Sequence, residues 1–285
     1  MRYAAPTTVE EATGLLANEA DAKVFAGATD LIPQMRSGRP EPEVLVDLKK
    51  IDRLVAVAES GGTWTIGAAV PTSHLTSNEA FSAAFPGLSE ASGLIGSDQI
   101  QNRSSWGGNL CNASPAADSV PALIANDAQA VIAGAGGTRT VAVADIVTGP
   151  GQTSLAADEF VVEFTVAAPD AGTSDAYYRL IPRTEMDIAV VGAAVRLTMD
   201  GDTCTAASVV LGAVAPTAVR VPDAEAALVG STLDDAALDA VAAACSAACN
   251  PIDDKRGTVE YRRQVAGVLA KRAAKTAAER AGGAS

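Results

Sequence analysis

The run from Arg103 to Asp118, RSSWGGNLCNASPAAD, constrains this chain more than any other segment. Its adjacent glycines, Gly107 and Gly108, carry no Cβ, so the backbone there can take a positive φ and can lie close to a flat or anionic ligand. Short polar side chains accompany them at Ser104, Ser105, Asn109, Asn112 and Ser114. A loop that only joins two elements can have the same composition. We favour a ligand-binding loop because a second segment of the same character lies upstream.

That second segment is KVFAGATDLIPQMR, residues 23–36. Residues 24–26 predict a short buried strand, residues 27–30 a turn and residues 31–36 a helix. A glycine turn that leads into a helix offers unpaired N–H groups and a positive dipole end to a phosphate. The GxGxxG and GxxxxGK patterns are missing, so neither a Rossmann domain nor a P-loop is supported. Taken alone, the segment also fits an ordinary strand-turn-helix corner.

Length and charge narrow the classes of protein. A chain of 285 residues favours two domains and allows a sizeable core. The net charge of −13 disfavours a surface for nucleic acid or for an anionic membrane, so phosphate binding is expected to use backbone N–H groups and local dipoles. Because the sequence contains neither a run of about twenty apolar residues nor a signal-peptide core, we expect a cytoplasmic protein without a transmembrane segment.

The side chains that could catalyse a reaction are few. His74 is the only histidine and lies at a predicted helix start, where a surface or capping role is expected rather than that of a base. The four cysteines are too scattered for an iron–sulfur cluster, and neither an HExxH pattern nor a pair of carboxylates at glycosidase-like spacing occurs. Hydrolase and metal chemistry are therefore unsupported. What remains is binding, and a cofactor with its own redox chemistry fits such a chain.

The order of predicted elements indicates an α+β fold. Residues 1 to about 57 predict a small α/β unit whose first helix is capped by Thr8 and Glu11, with a strand at 44–47. A strand at 63–67, helices near 73–85, 86–95 and 120–126, and a hairpin turn at 134–137 follow. Residues 169–174 predict a linker. Beyond it, strands at 189–197 and 206–214 predict an antiparallel sheet, and helices at 224–228, 233–249 and 258–278 predict a layer packed on that sheet.

The two glycine-bearing segments together resemble the FAD-binding subunit of molybdenum hydroxylases, the family of xanthine dehydrogenase and carbon monoxide dehydrogenase. KVFAGATDL is followed about eighty residues later by GGNLCNASPAADS, as in that family. Further blocks match in order: YRLIPRTEMDIA at 178–189, APTAVR at 215–220 and PIDDKRGTVEYRR at 251–263. The matching blocks span nearly the whole chain.

The resemblance implies a fold and a division of the chain. Residues 1–170 would form a two-part FAD-binding domain of the vanillyl-alcohol-oxidase or PCMH type, with subdomains of about 1–57 and 58–170. Residues 175–285 would form a smaller C-terminal domain of antiparallel sheet plus helices, like that of the carbon monoxide dehydrogenase flavoprotein.

The resemblance also implies which residues contact a non-covalent FAD, with no catalytic and no metal-binding residue in this chain. In the first segment these are Lys23, Val24, Phe25, Ala26, Gly27, Ala28, Thr29, Asp30 and Leu31. In the second they are Ser104, Trp106, Gly107, Gly108, Asn109, Cys111 and Asn112, joined by Asp118 and Arg179.

Three positions depart from the family pattern. Many relatives have a second glycine where this chain has Ala28, and Arg179 stands where the eukaryotic purine enzymes have a lysine near the flavin ring. Trp106 replaces a smaller residue, and it either covers an edge of the flavin or belongs to the core.

The implied function is that of an FAD-carrying electron-transfer subunit in a heterotrimeric molybdenum hydroxylase. A large molybdopterin subunit would hydroxylate a small N-heterocyclic or purine-like substrate, and a small subunit with 2Fe–2S clusters would pass the electrons to this chain. A dimer of heterotrimers and an external electron acceptor are also implied. Two alternatives remain open, a stand-alone FAD oxidase of the vanillyl-alcohol-oxidase fold and an assembly subunit that has lost its flavin.

Overall fold

The computed structural model describes residues 1–282, and its first layer is a small parallel sheet. Strands and helices alternate along this layer: β1 (Arg2–Ala4), α1 (Val9–Asn18), β2 (Ala22–Phe25), α2 (Leu31–Arg36) and β3 (Val44–Asp47). The strands lie in the order β1-β3-β2 and run parallel, because each helix brings the chain back to the end of the sheet where the previous strand began. Thr8 caps α1 by accepting the N–H of Glu11 at 3.1 Å, which confirms the predicted helix start.

The second layer is a five-stranded antiparallel sheet with short helices against it. Its elements are α3 (Asp52–Val55), β4 (Val57–Ser60), β5 (Thr63–Gly67), α4 (Thr72–Thr76), α5 (Glu79–Ala84), α6 (Pro86–Gly93), α7 (Asp98–Gln101), α8 (Trp106–Cys111), α9 (Ser119–Ala125), β6 (Gln129–Gly134), β7 (Gly137–Ala142), β8 (Val147–Gly149), β9 (Gln152–Thr153) and β10 (Phe160–Ala167). The sheet order is β4-β5-β10-β6-β7, and β8 pairs with β9 separately. Gly134 lies opposite Gly137, which confirms the predicted hairpin.

The third layer is the antiparallel sheet and helical cover predicted for the C-terminal part. It comprises β11 (Thr173–Leu180), β12 (Val191–Asp200), β13 (Thr203–Gly212), β14 (Val219–Arg220), α10 (Pro222–Leu228), α11 (Asp235–Ala248) and α12 (Val259–Ala281). The long helix α12 packs on β11 and β12, and α11 packs on α12. Small buried side chains such as Ala266, Ala270 and Ala274 let α12 lie close to the sheet. The fold is α+β, as the sequence predicts.

A buried carboxylate joins the third layer to the second. Asp175 on β11 is 3% exposed and accepts the N–H groups of Gly87 and Leu88 at 2.8 and 3.1 Å, so it caps the first turn of α6 from a different layer. Asn126 donates to the same carboxylate at 2.8 Å. A Cβ on Gly87 would lie 2.8 Å from the Asp175 carboxylate, so only glycine allows this approach.

Candidate functional site

A cleft of about 650 Å³ lies where the first, second and third layers meet. Its volume falls within the range of about 300–1,000 Å³ that is typical of small-molecule sites. The lining includes the first predicted segment from Lys23 to Leu31 and most of the second, which contributes Ser104, Gly108, Asn109, Cys111 and Asn112. The structure therefore brings together two segments that the sequence separates by about eighty residues. The predicted contacts outside the lining are Trp106, Gly107, Asp118 and Arg179.

The turn after β2 presents unpaired backbone donors to the cleft. Within the described residues 1–282, the N–H groups of Gly27, Ala28, Thr29 and Asp30 have no hydrogen-bond acceptor. Ala28 has φ +58°, a left-handed conformation that places neighbouring N–H groups around a concave surface. Unpaired N–H groups at the edge of a cleft suit an anionic group such as a diphosphate.

Gly27 holds the two segments against each other. A Cβ at this position would lie 1.9 Å from the carbonyl oxygen of Arg103 and 2.5 Å from its carbonyl carbon. In return, Arg103 Nε donates to the carbonyl oxygen of Gly27 at 3.2 Å. Close backbone approach, rather than a positive φ, is the reason for glycine here.

The glycine pair of the second segment is helical, which corrects the predicted loop. Residues 106–111 form α8, which Ser105 caps by accepting the N–H of Gly108 at 3.1 Å, and neither glycine has a positive φ. Gly107 packs on the chain, because its Cβ would lie 2.5 Å from the carbonyl oxygen of Ala68. Gly108 instead borders the cleft, and the nearest atom to a Cβ there is Ser105 Oγ at 3.4 Å. Packing therefore requires glycine at position 107, whereas at position 108 the protein itself leaves room for a Cβ.

Two asparagines of the second segment hold the site together by hydrogen bonds. Asn109 Oδ1 accepts from Ser119 Oγ at 2.7 Å, and Asn112 Oδ1 accepts from Gln34 Nε2 at 2.9 Å. Gln34 Oε1 in turn accepts from Arg39 Nη1. The bond between Gln34 and Asn112 links α2 to the end of α8, so side chains as well as Gly27 connect the walls of the cleft.

Trp106 belongs to the core rather than to the cleft. It is 1% exposed, its ring packs against Phe81 and Phe164 with centroids 5.8 Å apart in both pairs, and Nε1 donates to Ser92 Oγ at 2.9 Å. A tryptophan satisfied in this way anchors α8 on the sheet. Of the two roles considered for Trp106, the structure therefore supports the structural one.

Asp118 and Arg179 form a buried ion pair outside the lining of the cleft. Arg179 Nη1 donates to Asp118 Oδ2 at 2.6 Å, and Tyr177 Oη donates to Asp118 Oδ1 at 2.9 Å. Burial raises the pKa of Asp118 to about 6, against the opposing effect of Arg179 and Tyr177. In the described residues, Arg179 Nε has no hydrogen-bond partner. The pair therefore joins α9 to β11, the edge strand of the third layer.

The raised pKa makes a pH-dependent stability the expected behaviour of Asp118. Because the folded pKa of Asp118 lies above the ordinary value of 3.8, folding favours the protonated carboxyl. Its stabilising contribution is complete below pH 3.8 and is lost as the pH rises through about 6. Replacing Asp118 with Asn removes this titration. We expect the unfolding free energy of the parent, minus that of the variant, to fall by about 1–3 kcal/mol between pH 4 and pH 6.5 in urea titrations. A difference that stays level or rises would contradict the raised pKa.

Three arginines at the cleft are absent from the contacts expected from the sequence. Among those contacts Lys23 was the only cation from the two segments, and phosphate binding was expected to use backbone N–H groups and local dipoles. Arg39, Arg183 and Arg256 line the cleft. Asp187 holds two of them, through Arg256 Nε at 2.9 Å and Arg183 Nε at 3.5 Å. Arg183 and Arg256 lie in the blocks 178–189 and 251–263 that carried the resemblance, so the signal was present. The net charge gave no indication of these arginines, because a sum over the whole chain does not show where cations cluster.

Two absences concern the described residues 1–282. These residues contain no cluster of three or more His, Cys, Asp or Glu side chains that could hold a metal ion. No helix among them combines the length and the apolar character needed to cross a membrane.

Comparisons with known proteins give matches over nearly the whole chain. Residues 1–169 match the family described as "FAD binding domain in molybdopterin dehydrogenase", and residues 176–277 match "CO dehydrogenase flavoprotein C-terminal domain". The carbon monoxide dehydrogenase medium chain of Hydrogenophaga pseudoflava is 36% identical over 95% of this chain and 94% of its own length. The medium chain of Afipia carboxidovorans is 37% identical over 98% and 97%.

A third relative and a solved structure extend the comparison. The nicotinate dehydrogenase FAD-subunit of Eubacterium barkeri is 31% identical over 94% of this chain and 93% of its own length. A chain in the structure of carbon monoxide dehydrogenase from Hydrogenophaga pseudoflava superposes with a TM-score of 0.94, at 38% identity and with 98% of each chain covered.

Proposed function

The chain belongs to the family of FAD-binding subunits of molybdenum hydroxylases, which are oxidoreductases, and we propose that it is the FAD-carrying electron-transfer subunit of a heterotrimer. Its partners would be a large molybdopterin subunit and a small iron–sulfur subunit, assembled as a dimer of heterotrimers. Electrons would reach this chain after hydroxylation of a substrate in the large subunit and would leave it for an external acceptor. The observation that carries the proposal is the row of unpaired N–H groups from Gly27 to Asp30 at the edge of the cleft.

The residues of the cleft fit FAD. When bound, FAD supplies the redox chemistry that takes up and releases electrons. The N–H groups of the first segment would bind the diphosphate, and Gly108 would leave room for the cofactor beside α8. Arg183 and Arg256, held by Asp187, would add positive charge on the side of the third layer. We propose the lining residues of the two segments as the FAD contacts, without Trp106 and Gly107, which pack inside the protein.

We propose that Asp118 and Arg179 support the cleft from outside its lining. Their ion pair links α9 with β11, and the chain continues from β11 into the segment that carries Arg183 and Asp187. We also propose the domain division drawn from the sequence, with residues 1–170 as the FAD-binding domain and residues 175–285 as the C-terminal domain.

The substrate is proposed from two opposing signals. The Gly-Gly-Asn and Ser-Pro pattern of the second segment resembles the purine and N-heterocycle branch of the family more than the carbon monoxide branch, which favours a small N-heterocyclic or purine-like substrate. The carbon monoxide dehydrogenase medium chains are more identical to this chain than the nicotinate dehydrogenase subunit is. We propose the N-heterocyclic class. Assays of the assembled complex with xanthine, nicotinate and carbon monoxide decide between the two classes.

The stand-alone oxidase and the flavin-less assembly subunit have less support. The cleft keeps its unpaired N–H groups and, on α8, Gly108, which a subunit without flavin would not need. A stand-alone oxidase would need groups that act on a substrate, and His74, the only histidine, is exposed on α4 away from the cleft.

Purification of the chain alone and with its neighbours tests the proposal. We expect the isolated chain to be yellow, to release FAD on acid denaturation and to oxidise no heterocycle. Substrate oxidation is expected only after co-expression with a molybdenum subunit and an iron–sulfur subunit, measured on the complex from size exclusion. Release of FMN, colour that stays in the acid pellet, or turnover by the isolated chain without molybdenum or iron would contradict the proposal.

A further inference from the structure

Lys49 lies behind the first segment, outside the lining of the cleft, and its ammonium contacts three groups at once. Lys49 Nζ donates to the carbonyl oxygen of Ala26 at 2.8 Å and to Asp47 Oδ1 at 2.6 Å. It also lies 4.4 Å from the centroid of the Phe25 ring. The ammonium is therefore held at the end of β2, where the turn toward the cleft begins.

The contact with Ala26 fixes the direction of the next N–H group. In a trans peptide the C=O and N–H bonds point in opposite directions, and the described chain has no cis peptide bond. With the Ala26 oxygen held by Lys49, the N–H of Gly27, a residue that lines the cleft, points away from Lys49. Arg103 Nε holds the following carbonyl, that of Gly27, so the N–H of Ala28, which also lines the cleft, points away from Arg103.

Asp47 keeps the ammonium in place. Its carboxylate is buried and accepts three hydrogen bonds, from Lys49 Nζ, from the N–H of Lys49 at 2.9 Å and from Tyr3 Oη at 2.8 Å. A carboxylate fixed on several sides leaves the lysine little freedom. The end of β3 thus sets the position of a cation beneath the end of β2.

We infer that Lys49 is a positioning residue for the cofactor: it holds the Ala26 carbonyl so that the N–H groups of the turn face the diphosphate. The inference rests on the proposed function, since it takes the N–H groups of Gly27 and Ala28 to bind the diphosphate of FAD. It adds a residue outside the cleft to the determinants of cofactor affinity. Preorganised donors bind more tightly because their orientation costs nothing on binding.

Lys49→Met tests this role against Lys50→Met, which removes the same charge from the neighbouring exposed residue. We expect Lys49→Met to raise the Kd for FAD by about 10- to 100-fold, which is the value of one charge-assisted hydrogen bond. Kd is measured by quenching of FAD fluorescence on titration with flavin-free protein. ADP, which carries the diphosphate without the flavin, should weaken by the same factor as a competitor. Lys50→Met should match the parent, and Lys49→Arg should restore most of the affinity.

Thermal unfolding of the flavin-free proteins separates positioning from folding. If Lys49→Met fails to fold, the double variant Asp47→Asn, Lys49→Met removes the unpaired buried carboxylate and is titrated instead. Parental FAD affinity in the folded variant would overturn the inference. So would a loss that ADP does not share or that Lys49→Arg does not restore. A parent protein that binds no FAD would instead overturn the proposed function, so the two failures are distinguishable.

Discussion

Replacing Gly108 with valine is expected to abolish FAD retention while the chain stays folded. A Cβ at Gly108 meets only Ser105 Oγ at 3.4 Å and otherwise faces the cleft, so the added methyl groups would occupy space that the cofactor needs. Gly108 has no positive φ, so valine carries no left-handed strain there. We expect a rise in the Kd for FAD of about 100-fold or more, equivalent to about 3 kcal/mol. Flavin content per protein and the Kd measure it.

Gly14→Val is the matched control for Gly108→Val. Gly14 also lies in a helix, and no atom lies within 4 Å of a Cβ there. Gly14→Val should keep the parental flavin content, and the melting temperatures of the two variants should lie close together. Equal flavin content in Gly108→Val and the parent would remove the basis for placing the cofactor beside α8.

Replacing Gly27 with alanine is expected to damage both the fold and the site. The new Cβ would lie 1.9 Å from the carbonyl oxygen of Arg103, a backbone atom that cannot move without displacing the second segment. Overpacking of this severity costs about 3 kcal/mol or more. We expect a clear fall in the midpoint of urea unfolding and a loss of FAD, because the two walls of the cleft separate.

Ala28→Gly is the control for Gly27→Ala, one residue further along. Ala28 has φ +58°, a conformation that costs a residue with a Cβ about 1 kcal/mol or more and costs glycine nothing. The greater freedom of glycine in the unfolded chain offsets part of that gain. Ala28→Gly should therefore keep FAD and change stability by less than about 1 kcal/mol. A Gly27→Ala variant as stable as Ala28→Gly would show that the two segments are not packed through Gly27.

The sequence predicted the elements whose signals are local. Thr8 and Glu11 marked the start of α1, and the ends of α2 and β3 fell where predicted because caps, turns and apolar runs act within a few residues. The family resemblance predicted the overall architecture as well, since the matching blocks occur in the same order along the chain.

The sequence could not predict contacts between distant segments. Gly107 and Gly108 predicted a ligand-binding loop, because they carry no Cβ, and glycine also has a low helix propensity. Packing against Ala68 and the cap from Ser105 override that propensity. Contacts between distant segments also determine three other features. These are the place of Trp106 in the aromatic core, the bond from Lys49 to a carbonyl oxygen and the arginines at the cleft.

The contact between Gly27 and Arg103 has a consequence for the order of folding. The paired strands of the parallel sheet lie at most 42 residues apart, as between Arg2 and Val44, but the turn at Gly27 acquires its final neighbour only when Arg103 arrives, 76 residues further along the chain. Contacts between residues so far apart close a long loop and therefore form late. The antiparallel sheet of the second layer must also wait for β10, which pairs with both β5 and β6. We therefore expect FAD uptake to follow the formation of this contact, so that bound flavin would mark chains in which the two walls of the cleft have met.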